Sequence, residues 1–134
     1  MQQITLMETY LIETLRNEGI SDEDILDKVK NKEADQFEHL HKSFDFTNLY
    51  SLADNLETIL NEGYQVKFLT YPGLVNLLRM KYGKEAGKDF EKKETSIEQL
   101  KLSEEEQEDL QQWLSSNWDI KEGTTGINIV PRYT

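Results

Sequence analysis

The chain has 134 residues, of which 31% are charged and 37% hydrophobic, with a formal net charge of −11 at pH 7 and no cysteine. That length suits one domain spanning 1–134, able to bury roughly two thirds of the surface its unfolded chain exposes. The lack of cysteine excludes disulfides, Cys-based zinc sites and thiol nucleophiles, and the periodic apolar residues exclude wholesale disorder.

Charge is unevenly distributed. Residues 1–63 carry 5 Lys/Arg against 14 Asp/Glu, residues 64–93 carry 7 against 3, and residues 94–134 carry 3 against 9. A basic centre between acidic flanks bears on steering and solubility, not on catalysis. Met1-Gln2-Gln3-Ile4 has neither a basic n-region nor an apolar h-region, so a cytoplasmic location is expected. No apolar run approaches the roughly 18–20 residues a membrane span requires.

Ile4, Met7, Leu11 and Leu15 recur at steps of three and four and predict a first amphipathic helix, stopped by Gly19. Ser21 is placed to cap a second helix carrying Asp22, Glu23 and Asp24 in its first turn and Ile25, Leu26 and Val29 on its apolar face. Phe37, Leu40 and Phe44 mark a third helical stretch. Leu49, Leu52, Ala53, Leu56, Ile59 and Leu60 form a full stripe predicting a fourth helix that ends before Gly63.

Tyr64-Gln65-Val66-Lys67-Phe68 then alternates and predicts a short strand. Thr70 with Pro72 opens a helix bearing Leu74, Val75, Leu77, Leu78 and Tyr82, closed by Gly83. Residues 84–94 read as a polar connector. Thr95 with Glu98, and Ser103 with Glu106, have capping-box spacing, the second box opening a helix with Leu110, Trp113 and Leu114. Gly123-Thr124-Thr125-Gly126 separates two β-prone stretches and predicts a C-terminal hairpin, with Pro131 blunting its second strand.

The expected fold is mainly α (α+β): five to six short helices, a small β element at 64–69 and a hairpin at 118–130. A sub-division into a helical part, 1–63, and an α+β part, 64–134, is compatible with this order. Because one strand cannot stand alone, the 64–68 strand is expected to pair with the hairpin. Burial of Phe68, Trp113 and Trp118 together is expected to contribute about 1.5–3 kcal/mol for each side chain.

Catalytic chemistry finds little footing. Asp35, Glu38, His39 and His41 are the one cluster with metal-ligating side chains, but His39 and His41 stand two apart and diverge on a helix. No glycine lies in a phosphate-binding strand–loop–helix pattern. Leu15, Gly19, Ser21 and Ile25 have helix-turn-helix spacing, yet Asp22-Glu23-Asp24 would face the phosphates and repel them. No cofactor, no metal and no enzymatic activity are therefore expected.

The central basic segment is the candidate surface. Lys67, Arg79, Lys81, Lys84, Lys88, Lys92 and Lys93 interleave with Phe68, Tyr71, Tyr82 and Phe90. Tyr71, Arg79, Lys81, Lys84 and Lys88 are its expected partner-binding residues. The expectation is a small acidic interaction protein, an adaptor, inhibitor or regulator of bacterial or phage type, that docks on a protein partner. Two other readings are a nucleic-acid mimic occupying a DNA- or RNA-binding cleft, and direct nucleic-acid binding through 67–93. Pairing of basic centre with acidic flank between copies, as a homodimer, is also open.

Overall fold

A computed structural model describes residues 1–132. The chain divides into a first unit, Met1–Tyr64, and a second that begins at Gln65. The first is helical and the second mixes helices with an antiparallel sheet.

In the first unit a short extended stretch, β1 (Gln3–Ile4), leads into α1 (Leu6–Asn17). Thr5 Oγ1 accepts from the Glu8 N–H at 3.1 Å, and Glu8 Oε1 accepts from the Thr5 N–H at 2.8 Å. Two orphan donors are thereby satisfied in a complete capping box. Leu11, Ile12 and Leu15 are buried, whereas Met7 is 45% exposed and leaves the predicted stripe. Gly19 takes φ +83°, a left-handed turn that suits glycine. Ser21 then caps α2 (Asp22–Lys30), accepting from the Asp24 N–H at 3.1 Å as predicted.

The predicted third and fourth helices are corrected in form. The third is a 3-10 helix, Ala34–Leu40, that stops short of Phe44. The fourth is broken into a second 3-10 helix, Phe46–Leu52, and α3 (Leu56–Glu62). The reason lies in the spacing: Phe46, Leu49 and Leu52 recur every three residues, the 3-10 period. Asp45 fixes this start, its Oδ1 accepting from the Thr47 N–H at 3.0 Å. A turn at Asp54 and Asn55, residues that favour turns, resets the chain for α3.

A charged network runs through this unit. Glu13, 5% exposed, accepts at Oε2 from the Tyr64 hydroxyl (2.8 Å) and from Arg16 Nη1 (3.2 Å). The same guanidinium grips both Asp22 oxygens at 3.0 and 3.2 Å and donates to the Leu60 carbonyl at 3.1 Å. A buried carboxylate is tolerated here because each of its charges is paired and hydrogen-bonded.

In the second unit, β2 covers only Gln65–Val66 and does not join the hairpin's sheet, contrary to expectation. The four-stranded antiparallel sheet runs in the order β3 (Glu91–Lys92), β4 (Ile97–Leu100), β6 (Ile127–Pro131), β5 (Trp118–Glu122). The partner of the hairpin is therefore β4, in a stretch where the sequence showed only the capping-box spacing of Thr95 and Glu98. Ile97 and Leu100 are both buried, and a register irregularity between them, with Gln99 at φ +59°, lets both reach the core side. Phe68 is 61% exposed rather than packed with Trp113 and Trp118, which are 2% and 6% exposed.

Two helices complete the unit: α4 (Tyr71–Tyr82) and α5 (Glu104–Trp113). Thr70 caps α4, Pro72 lies in its first turn, and Gly83 ends it in the left-handed conformation. Ser103 and Glu106 form the full predicted capping box on α5. Ser115 Oγ accepts from the Leu69 N–H at 3.0 Å, while Asn117 Nδ2 and Trp118 Nε1 donate to the Leu69 carbonyl at 3.0 and 2.9 Å.

Gly126 is required by close approach rather than by φ: a Cβ there would meet the Leu100 carbonyl carbon at 2.7 Å. Gly126→Ala must push β4 away from the hairpin. We expect a loss of about 1–3 kcal/mol, read as a lowered midpoint in urea unfolding of the full chain.

Candidate functional site

The site is built on α4 and the loop that leaves it. Tyr71 and Tyr82 are eleven residues apart, about three helical turns, so they share one face with Leu74 and Leu78. Val75 and Arg79 stand one turn apart on one flank of that face, while Lys81 lies on the opposite flank.

The two flanks meet different fates. Lys81 is 10% exposed at its side chain, lies 3.8 Å from Asp109 Oδ2, and sits 5.8 Å from the Trp113 ring centroid. It neutralises and packs against α5. Arg79 is exposed and points away from that pairing.

Beyond Gly83, residues 84–90 form a self-bonded loop. The Glu85 N–H donates to Asp89 Oδ2 at 2.8 Å, the Asp89 N–H to the Glu85 carbonyl at 2.8 Å, and the Gly87 N–H to the Phe90 carbonyl at 2.9 Å. Gly87 takes φ +82°, and Phe90, 4% exposed, anchors the far end in the core. This loop presents Lys84 and Lys88 on a fixed backbone. Two shallow grooves border it. One, about 350 Å³, is lined by Val75, Arg79, Lys84, Glu85, Ala86 and Lys88. The other, about 510 Å³, shares Lys84 and Lys88 and adds Gln99 of β4, Lys101 just beyond it and Thr125 of the hairpin turn, with Asp89 and Glu91 on its wall.

The structure thus brings together three of the five sequence-predicted residues, Arg79, Lys84 and Lys88. Among the described residues none of the three forms an ion pair, and nor does Lys101. Lys101 was missed because it lies outside the basic segment, immediately after β4.

Tyr71 and Lys81 are not groove residues. The Tyr71 hydroxyl donates toward the carbonyls of Lys93 (2.5 Å) and Ser96 (2.7 Å), and its ring lies 6.0 Å from that of Trp118. Lys92 and Lys93 are also engaged, over the Tyr71 ring at 5.5 Å and with Glu91 at 3.2 Å.

The Tyr82 hydroxyl donates to Asp109 Oδ2 at 2.5 Å and accepts from Trp113 Nε1 at 2.9 Å. Burial, the Asp109 hydrogen bond and its charge push the Tyr82 phenol well above its ordinary value, offset in part by the Trp113 donor. Tyr71, Tyr82 and Phe90 are therefore committed to packing and Phe68 lines neither groove, so the described residues offer the grooves no exposed ring for unpaired bases to stack on.

The remaining sequence candidates do not assemble. His39 Nδ1 lies 2.8 Å from the Gln36 carbonyl, and His41 stacks on Phe44 with ring centroids 3.9 Å apart. No group of three metal-ligating side chains occurs among the described residues. No family model matches the chain, and neither a curated protein nor a solved structure matches it.

Because the folded Tyr82 resists ionisation, its contribution to stability is complete below the ordinary phenol value of about 10 and falls as pH rises beyond it. Tyr82→Phe strands Trp113 Nε1 and loses the Asp109 bond. It should cost about 1–3 kcal/mol at neutral pH and flatten the decline of Tm above pH 10, as measured by thermal melts across pH 7–11.

Proposed function

We propose that this protein is a non-enzymatic interaction protein, an adaptor, inhibitor or regulator, that docks on a protein partner through the basic grooves of its second unit. The observation that carries the reading is the contrast among the cations of one segment. Lys81, Lys92 and Lys93 are engaged by Asp109 and Trp113, Tyr71 and Glu91, while Arg79, Lys84 and Lys88 surround a floor of Val75 and Ala86 without an ion pair among the described residues.

Such a groove suits an acidic segment carrying an apolar side chain. The carboxylates meet unpaired cations, and the apolar group covers Val75 and Ala86. Among the described residues the one ring lining either groove is Phe90, only 4% exposed, which favours a protein over single-stranded nucleic acid. The reading places the protein in the cytoplasm, acting without a cofactor. No helix among the described residues is long and apolar enough to cross a membrane.

The test is co-purification of the tagged chain from its native cells, with and without nuclease, at low and high salt. A protein partner should persist through nuclease and be lost from R79E/K84E/K88E. The matched variant K30E/K42E/K67E changes net charge equally at exposed lysines outside the grooves and should retain it. Loss of at least about tenfold in affinity is expected, since each reversal replaces attraction by repulsion across the interface. Retention of the partner by the groove variant would overturn the reading, and recovery of nucleic acid that high salt removes would replace it with direct binding.

A further inference from the structure

The hairpin ladder has a definite parity. The Arg132 N–H donates to the Asn117 carbonyl at 2.9 Å and the Gly123 N–H to the Gly126 carbonyl at 2.8 Å. Between these lie the pairs Asp119↔Val130 and Lys121↔Asn128. Bonded and non-bonded pairs alternate along an antiparallel ladder. Asp119 and Lys121 therefore turn their main-chain groups to β6, and Trp118, Ile120 and Glu122 turn theirs away from it.

Because β5 ends the sheet order, those groups face outward. The Trp118 N–H is taken by the Ser115 carbonyl at 3.2 Å. Among the described residues, no hydrogen bond reaches the Trp118 carbonyl or the outward N–H and carbonyl of Ile120 and Glu122. At the other edge β3 has only two residues, both exposed, too short to template a partner.

We propose that β5 is the edge by which two copies of this chain join, antiparallel, about a twofold axis at Ile120. In that register Ile120 exchanges both main-chain hydrogen bonds with the second copy's Ile120, and the Glu122 N–H donates to the second copy's Trp118 carbonyl, each bond repeated by symmetry. Asp119, whose Oδ1 is already held by Arg132 of its own chain at 2.7 Å, lies directly opposite the second copy's Lys121, and Lys121 opposite its Asp119, so that each Asp119 carboxylate bridges two cations. Lys121 is exposed and forms no ion pair among the described residues, so it is free for this role.

The charge pattern selects both the occupant and the register. Moving the twofold axis by one residue in either direction, a two-residue change of register, opposes Asp119 to Asp119 or Lys121 to Lys121, each destabilising. Only the register centred on Ile120 sets opposite charges face to face at both positions, so the segment is complementary to itself rather than to an arbitrary extended peptide.

The test uses the full chain, by sedimentation across a concentration series and by amide hydrogen exchange. Mass should double with concentration, and the Ile120 and Glu122 amides should gain protection in step. The Asp119 and Lys121 amides, already bonded to β6, should stay protected throughout. K121E opposes carboxylates twice per dimer and should weaken association by about tenfold. The swap D119K/K121E, made together with R132E so that position 119 keeps an opposite charge within its own chain, should restore it, with circular dichroism confirming that both variants fold.

A chain that stays monomeric overturns the proposal. So does a dimer indifferent to K121E, or one that leaves Ile120 and Glu122 exchange unchanged. Protection of those two amides by another protein alone would assign the edge to a different occupant and overturn it equally.

Discussion

Helix α4 is held at each end by a tyrosine hydroxyl, and the second unit depends on those two attachments. At its start Tyr71 bonds the carbonyls of Lys93 and Ser96, fixing the turn between β3 and β4. At its end Tyr82 joins Asp109 and Trp113 of α5. Because three turns separate the two rings, one face of one helix clamps the sheet and α5 together. The flank that carries Arg79 is left over by this arrangement, and the loop that carries Lys84 and Lys88 departs from the clamped end. The basic grooves are thus a by-product of where the helix is pinned.

That geometry also explains what could be read in advance. Capping residues were legible because their chemistry is local: Ser21, Thr70 and Ser103 each bind the N–H three residues on. The 64–68 strand was legible in part, as Gln65–Val66, but its pairing was not. Alternation in Tyr64–Phe68 is real, but which strand accompanies the hairpin is settled by long-range packing of Ile97 and Leu100, and Thr95–Glu98 offered a misleading local signal. The single stripe from Leu49 to Leu60 was misread because apolar steps of three and of four look alike over a few residues, although they distinguish 3-10 from α geometry.

Of the five residues named in advance, Arg79, Lys84 and Lys88 line the grooves and Tyr71 and Lys81 do not, and for Lys81 the reason is helix geometry. Residues two apart on a helix diverge by about 200°, the argument that separates His39 from His41. Applied to Arg79 and Lys81, it sends one cation to solvent and the other against Trp113 and Asp109. Sequence alone could say that the two part; it could not say which flank α5 would cover. Charge counts are equally blind, because they weigh alike an engaged Lys81 and a Lys84 that forms no ion pair among the described residues. The acidic runs show the converse, since Asp22–Asp24 and Glu104–Glu106 occupy first turns of capped helices, where negative charge favours the helix dipole.

The two surfaces of the second unit lie toward opposite sides of one sheet. The grooves border the loop that leads into β3, and the unpaired main chain lies along β5, with β4 and β6 between them. Joining two copies through β5 makes an eight-stranded sheet and leaves both β3 edges outermost, roughly 34 Å apart at the usual spacing between strands. A partner that is itself dimeric, or that carries two acidic segments at matching separation, would engage both copies, and the second contact would form at the high effective concentration set by the first. Weak electrostatic grooves, each screened by salt, then suffice for a stable complex, so the β5 edge and the basic groove would act as parts of one binding device.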